Sequence, residues 1–191
     1  SRSNQSIAIM LASKSPYSHM GIVDILPTGQ AVVLEAVATV RETPLTDWVS
    51  RGGGGRLLVK RWEQLYSTQA QAITMAARTH FGKPYDLFFR DGSDAIYCSE
   101  LADLAFRDGA GLAVGMSQRV GDLDIDNFAA RKLIELRWRK HPDCANGAAA
   151  TFEQCYAKLQ EQQLVTPASI ASDAKLVTVF SNYGILADGP Q

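Results

Sequence analysis

Apolar and polar residues alternate along this chain with two periods, and the change between them marks out its elements. Tyr17-Ser18-His19-Met20-Gly21-Ile22-Val23 runs from a turn into a strand pattern, which puts His19 at the start of a strand. Ala31-Val32-Val33-Leu34-Glu35-Ala36-Val37 is a second strand, strongly apolar and broken by one carboxylate. If Pro27-Thr28-Gly29 turns the chain into an antiparallel hairpin, Glu35 lies beside His19. Leu57-Leu58-Val59 and Lys175 to Phe180 read as further strands. Helical spacing appears from Ser67 to Phe81, where Ile73, Ala76, Ala77 and His80 or Phe81 share a face and Gly82 and Pro84 end the run. Phe128 to Arg139 and Thr151 to Gln163 are helical too, the first with basic residues on a solvated face, the second with a Gln-rich exposed side. Another helix starts at Cys98. A polar stretch from Arg90 to Asp94 precedes it, with Ser93 and Gly92 inside. Leu101, Leu104 and Ala105 follow at helical spacing, and Gly109 supplies a stop.

The chemistry begins with Cys98. A thiol in the first turn of a helix feels the positive end of the macrodipole and the unpaired N–H groups there, which favour the nucleophilic thiolate. The usual alternative for a lone Cys is a small buried hydrophobe. Glu35 is costly in an apolar strand unless it is paired or faces solvent. Paired with His19, it completes a set of nucleophile, base and orienting group. His19 as a partly exposed strand-end residue and Glu35 as a solvent-facing one are the plainer alternatives.

Composition narrows the class. The 191 residues suffice for one sizeable core, and 1–191 reads as one domain, with no repeats or low-complexity tract. The 19 basic and 20 acidic residues nearly cancel, so no charge footprint argues for nucleic acid or an anionic membrane. No apolar run approaches the roughly 18 to 20 residues of a membrane span. No basic-then-apolar start precedes the first strand, so any signal peptide is absent from this sequence. Gly52-Gly53-Gly54-Gly55 is a flexible loop without the Lys-Ser/Thr and following helix of a phosphate loop, which argues against nucleotide binding. His80 reads as a packed or surface residue. Cys144 and Cys155 lie close together, whereas Cys98 is isolated. In an envelope or secreted setting the pair would form a disulfide, contributing about 3 kcal/mol in the chain-entropy treatment. In a reducing cytosol both would be thiols. His141 near Cys144 has no second ligand pair at zinc spacing, so no metal is expected.

Ser18-His19-Met20-Gly21-Ile22-Val23, Leu34-Glu35-Ala36, Gly82-Lys83-Pro84-Tyr85-Asp86, Tyr97-Cys98-Ser99-Glu100-Leu101 and Val165-Thr166-Pro167-Ala168-Ser169-Ile170 span nearly the whole chain. Together they resemble the permuted NlpC-type cysteine peptidases, specifically the YiiX-like branch of the papain-like superfamily. Papain-like enzymes place Cys before His, whereas here the order is His19, Glu35, Cys98, as a circular permutation produces. The resemblance implies an α+β fold of this permuted papain-like, NlpC-type kind, with helices packed on a small antiparallel sheet or barrel. That family usually opens with a strand having a Gly-Asp start, so the sequence, beginning at Ser1, is expected to be trimmed. Tyr97 stands where the common NlpC pattern has Asp, and Ser99-Glu100 replaces Ser-Gly, both in keeping with the YiiX-like branch.

The resemblance further implies a cysteine amidohydrolase that uses no cofactor. Cys98 attacks an amide carbonyl, His19 manages the thiol proton, and Glu35 holds His19. Tyr85 and the Cys98 backbone N–H receive the oxyanion, although the Tyr85 ring as a cap on the core is an equal alternative. Tyr97, Trp48 and Arg51 are candidates for substrate contact, and Trp48, Arg51 and the glycine loop for a substrate-side wall. The expected substrate is a peptide amide of bacterial peptidoglycan in the periplasm, cell envelope or outside the cell. The protein would serve as a cell-wall remodeller or a delivered toxin with an immunity protein. A lipid acyl hydrolase or acyltransferase using the same Cys and His is the main rival, although such relatives carry an Asn-Cys-Glu-His-type motif. A catalytically idle binding module is the third reading. A narrow polar groove would favour peptide, a broad apolar trough an acyl chain.

Overall fold

The computed structural model describes residues 3–92 and 94–183, so Ser93 of the polar stretch lies outside the described residues. The hairpin is present as β1 (Ile22–Ile25) and β2 (Ala31–Ala36), antiparallel, with Ile22 opposite Leu34 and Ile25 opposite Ala31. β3 (Val40–Pro44) pairs antiparallel with the other edge of β2, placing Glu35 opposite Arg41 and Val33 opposite Thr43. As the middle strand, β2 is buried continuously from Val32 to Ala36, which is why it reads as an apolar run rather than an alternation. His19 precedes β1, in an extended segment rather than in the strand itself.

Two further antiparallel pairs are β4 (Leu58–Trp62) with β7 (Leu176–Ser181), and β5 (Ser117–Arg119) with β6 (Gln163–Val165). The small antiparallel sheet expected among packed helices is thus divided into three pieces, in an α+β fold. The helix that starts at Cys98, α4 (Cys98–Ala110), lies between the first sheet and the other two. Its Leu101 and Ala105 pack with Leu34, Val40 and Ile73, while Ala102 on another face packs with Val165, Ile170 and Leu176. One helix thus serves two clusters of the core, and no continuous ladder can cross it.

α3 (Ser67–Arg78) lies against α4 at a point where only glycine fits: a Cβ on Gly109 would sit 2.5 Å from the Ile73 Cα. Gly109 is therefore a contact residue and not the expected stop. The helix ends at Gly111, whose φ of 67° places it in the left-handed region that commonly closes a helix. α3 stops at Arg78, three residues before Phe81.

α1 (Asn4–Ala12) is a helix the sequence pattern did not announce, and it packs against α5 (Phe128–Arg137). α5 passes into a single 3-10 turn, Trp138–Lys140. α6 (Phe152–Glu161), capped by the Thr151 hydroxyl accepting from the Gln154 N–H, ends before Gln163, which enters β6 instead. Two short helices remain, α2 (Leu45–Ser50) after β3 and α7 (Pro167–Ala171). The glycine stretch after α2 is pinned rather than loose: the Leu57 N–H donates to Asn182 Oδ1 at 2.6 Å, and Asn182 Nδ2 donates to the Gly55 carbonyl at 3.0 Å. Cys144 and Cys155 are joined in a disulfide with their Cα atoms 5.4 Å apart, packed with Ala149 and Leu159 beneath Trp138. Among the described residues no helix is long and apolar enough to cross a membrane.

Candidate active site

The site forms where the extended segment before β1, the middle of β2 and the start of α4 meet. Gly21 makes that meeting possible: a Cβ there would lie 2.4 Å from a Val33 methyl and 2.7 Å from the Leu34 carbonyl oxygen. With no side chain at 21, His19 and Met20 approach β2 closely. His19 Nε2 then lies 2.7 Å from Glu35 Oε2. The Cys98 thiol lies close enough to the His19 side chain for each to shift the other's ionisation.

Glu35 is fully buried and its carboxylate is saturated. Oε2 meets His19, whereas Oε1 accepts from the Thr43 hydroxyl at 2.7 Å and from Arg51. Thr43 is the diagonal neighbour across β2 and β3, within reach on the same face of the sheet. The ordering of charges follows. Burial disfavours a charged imidazole, but hydrogen bonds to Cys98 and Glu35 outweigh it and raise His19 to about 9. Burial alone would raise Glu35; His19, Thr43 and Arg51 instead lower it to about 2. Burial also favours the neutral thiol, yet His19, Tyr85 and the Met20 N–H bring Cys98 below its ordinary value. The arrangement suits a thiolate–imidazolium pair.

The Tyr97-Cys98-Ser99 turn is fixed from both sides. The Tyr97 hydroxyl accepts from the Val165 N–H at 3.2 Å, and the Ser99 hydroxyl donates to the Val165 carbonyl at 2.8 Å. Below them Glu100 accepts from the Tyr97 N–H at 3.1 Å, the reciprocal half of a capping box. Burial, reinforced by Asp86 and Asp91, raises Glu100 to about 7 despite that bond.

Tyr85 arrives on a segment tied to both neighbours: the Lys83 carbonyl accepts from Val40, and the Pro84 carbonyl accepts from Ile96, two residues before Cys98. Its hydroxyl stands 3.9 Å from Cys98 Sγ while its ring packs on the core around Leu34 and Leu101. Both readings of this tyrosine thus describe parts of one side chain. Gln5 of α1 donates to the Tyr85 hydroxyl at 3.2 Å, and Arg137 at the end of α5 donates to Gln5 Oε1 at 3.1 Å.

Beside His19 opens a groove of about 830 Å³ of mixed polar and apolar lining, bordered by Gln5, His19, Trp48, Arg51, Tyr85 and Arg137. The Trp48 ring stacks on His19 with centroids 5.9 Å apart. Arg51 lines the same groove but is committed to Glu35. Tyr97 does not line it. Its ring is buried and its hydroxyl is taken by Val165, so the expected substrate contact is instead a structural support of the thiol. Tyr97 and Cys98 border a separate apolar cavity of about 140 Å³ between α1, α5 and α6. His80 and His141 stand apart from the thiol, His80 beside Lys83 and His141 against Phe88. Gln5, Thr43 and Arg137 escaped sequence reasoning. They come from distant segments, and Arg137 read as part of a solvated basic face when it in fact turns toward Gln5.

A sequence model of permuted papain-like amidase enzymes, the YaeF/YiiX or C92 family, matches residues 1–180. The uncharacterized protein YiiX of Escherichia coli K12 is 34% identical over 142 residues, covering 74% of this chain and 70% of that protein. A crystal structure described as the metalloprotein YiiX, from Escherichia coli O157:H7, superposes with a TM-score of 0.82 at 31% identity, covering 95% of this chain and 92% of that one. With the order His19, Glu35, Cys98 brought together around one thiol, the chain belongs to the permuted papain-like amidase family of YaeF and YiiX.

Proposed function

We propose that the protein is a cysteine amidase in which Cys98 is the nucleophile and His19 the general acid and base. The thiolate adds to the amide carbonyl, with the oxyanion received by the Tyr85 hydroxyl and the Cys98 N–H. As the C–N bond breaks, His19 protonates the departing amine. The neutral imidazole then takes a proton from water as that water attacks the thioester, and the acid and thiol are released. Glu35 keeps the imidazole oriented and favours its charged form throughout. The observation that carries this reading is the placement of His19 between Glu35 and the Cys98 thiol.

For substrate, a peptide amide of bacterial peptidoglycan suits the open, arginine-bordered groove beside His19. The Cys144–Cys155 disulfide suits an oxidising place of work such as the periplasm or the cell exterior. A remodelling role and a delivered toxin met by an immunity protein are both compatible with that setting. A second reading has an observation of its own: the apolar cavity bordering Cys98 suits an acyl chain, as in a lipid acyl hydrolase. The relative described as a metalloprotein raises the question of a metal here. The residues do not fit one: among those described no group of three His, Cys, Asp or Glu is placed to hold a metal ion, His19 and Glu35 are engaged with each other, and Cys144 is in a disulfide. No step is therefore routed through a metal.

Mass spectrometry of defined muropeptides and of lipids after incubation with wild type and Cys98→Ala tests the proposal. Amide cleavage by wild type alone is the expected result. Ester or acyl-transfer products would favour the second reading, and cleavage surviving in Cys98→Ala would remove the nucleophile.

A further inference from the structure

The groove beside His19 has a one-sided charge. Arg51, Arg56 and Arg137 border it, and among the described residues no Asp or Glu does. Two of these guanidinium groups already have a role, Arg51 on Glu35 and Arg56 over the Tyr183 ring at 5.9 Å. Arg137 differs. Its donors reach only neutral oxygens, Gln5 Oε1 at 3.1 Å and the Leu87 carbonyl at 3.2 Å. Elsewhere Arg78, Arg90, Arg107, Arg119 and Arg131 each meet a carboxylate. Arg137 is partly buried, and that burial lowers its pKa, so its charge is held at a cost and without a counter-ion among the described residues.

Its position gives the unpaired charge a use. Arg137 holds Gln5, Gln5 donates to the Tyr85 hydroxyl at 3.2 Å, and that hydroxyl faces Cys98 Sγ at 3.9 Å. Arg137 itself borders the groove, two side chains from the thiol. A planar fork of donors matches a carboxylate better than it matches any neutral group. We infer that Arg137 binds a free carboxylate on the substrate, so that the preferred amides are acidic ones whose carboxylate lies on the residue next to the scissile bond. The inference rests on the amidase reading of the site and adds the class of substrate. Gln5 couples the two functions by tying the carboxylate-binding arginine to the tyrosine beside the nucleophile.

Two measurements separate this inference from the reading beneath it. In the first, the Cys98→Ala protein is titrated calorimetrically with N-acetyl-dialanine and with its C-terminal amide. The acid is expected to bind about tenfold or more tightly, the scale of a charged hydrogen bond. Arg137→Gln should erase the difference, and Arg137→Lys should keep part of it. Equal affinity for acid and amide, or no binding of either, overturns the assignment, and neither outcome depends on catalysis. In the second, wild-type Cys98 is alkylated by iodoacetate and by iodoacetamide, which differ in charge and little in size. The ratio of the iodoacetate rate to the iodoacetamide rate should fall in Arg137→Gln. An unchanged ratio overturns the role of Arg137. Failure of iodoacetamide to label Cys98 would count against the nucleophile alone, and leave Arg137 to be judged by the calorimetry.

Discussion

His19 joins Glu35 through Nε2 at 2.7 Å, and the same side chain interacts with the Cys98 thiol. One ring therefore carries opposite demands: the carboxylate stabilises its charge, and the thiolate needs that charge beside it. Substitutions at the three residues should have separable consequences.

Cys98 should be alkylated by iodoacetamide well below the ordinary thiol pKa of about 8.5. His19→Ala should slow that labelling near neutral pH, since it removes the cation that favours the thiolate. Cys98→Ala should abolish hydrolysis and leave the circular dichroism spectrum unchanged. Mass spectrometry of labelled protein against pH is the measurement, and a pH-independent, slow reaction would return Cys98 to the core.

Glu35→Gln should retain partial activity, reduced by about one to two orders of magnitude, because the residue orients the base without making or breaking a bond. Loss of the carboxylate removes a source of the raised His19 pKa of about 9. The alkaline limb of the activity profile should therefore move to lower pH, which a pH–rate series reads directly. In wild type the same pair shapes stability. Glu35, lowered to about 2, contributes stability present above the unfolded carboxylate value and lost as pH falls through about 2. His19 contributes stability present below its unfolded value and lost as pH rises through about 9.

Much of this was legible because local pattern and long-range structure agreed. The helix start at Cys98 and the hairpin that brings Glu35 toward His19 are encoded within short segments, and the family resemblance tied them together. Thr43, Gln5 and Arg137 were not legible, since each earns its place by a contact across strands or between helices distant in sequence. α1 went unannounced because Ile7 to Ala12 is an unbroken apolar run, which fits strand and helix alike. The separation of the sheets was hidden for another reason: periodicity shows which face of a strand is buried, but not that α4 is what buries it.

Glu100 offers a test of the foundations under the thiol. Its pKa is raised to about 7, so the folded state favours its protonated form, and the associated stability is present at low pH and lost as pH rises through about 7. Glu100→Gln keeps an acceptor for the Tyr97 N–H and removes the buried charge. Thermal melts should show the variant more stable than wild type at pH 8, with the gap closing at pH 5. A variant less stable at both values would mean that the carboxylate's hydrogen bond outweighs its burial.

Reducing the Cys144–Cys155 disulfide should cost about 3 kcal/mol, or roughly 6 to 12 °C in melting temperature for a domain of this size. The bond lies in the cluster with Ala149 and Leu159, which contains none of His19, Glu35 and Cys98. Activity measured below the melting transition should therefore survive the Cys144→Ala/Cys155→Ala double variant. A calorimetric scan beside an activity assay distinguishes this from a disulfide that shapes the site.

Val165 grips the turn around the thiol twice, through the Tyr97 hydroxyl and the Ser99 hydroxyl. During synthesis His19 and Glu35 leave the ribosome first, Cys98 follows, and the residue that clamps it emerges long afterwards. A nascent chain halted between the two holds every member of the triad and lacks the part that fixes the thiol in place. In this permuted order the thiol is made well before the residue that fixes its turn, so the site is completed only after Val165 has been added.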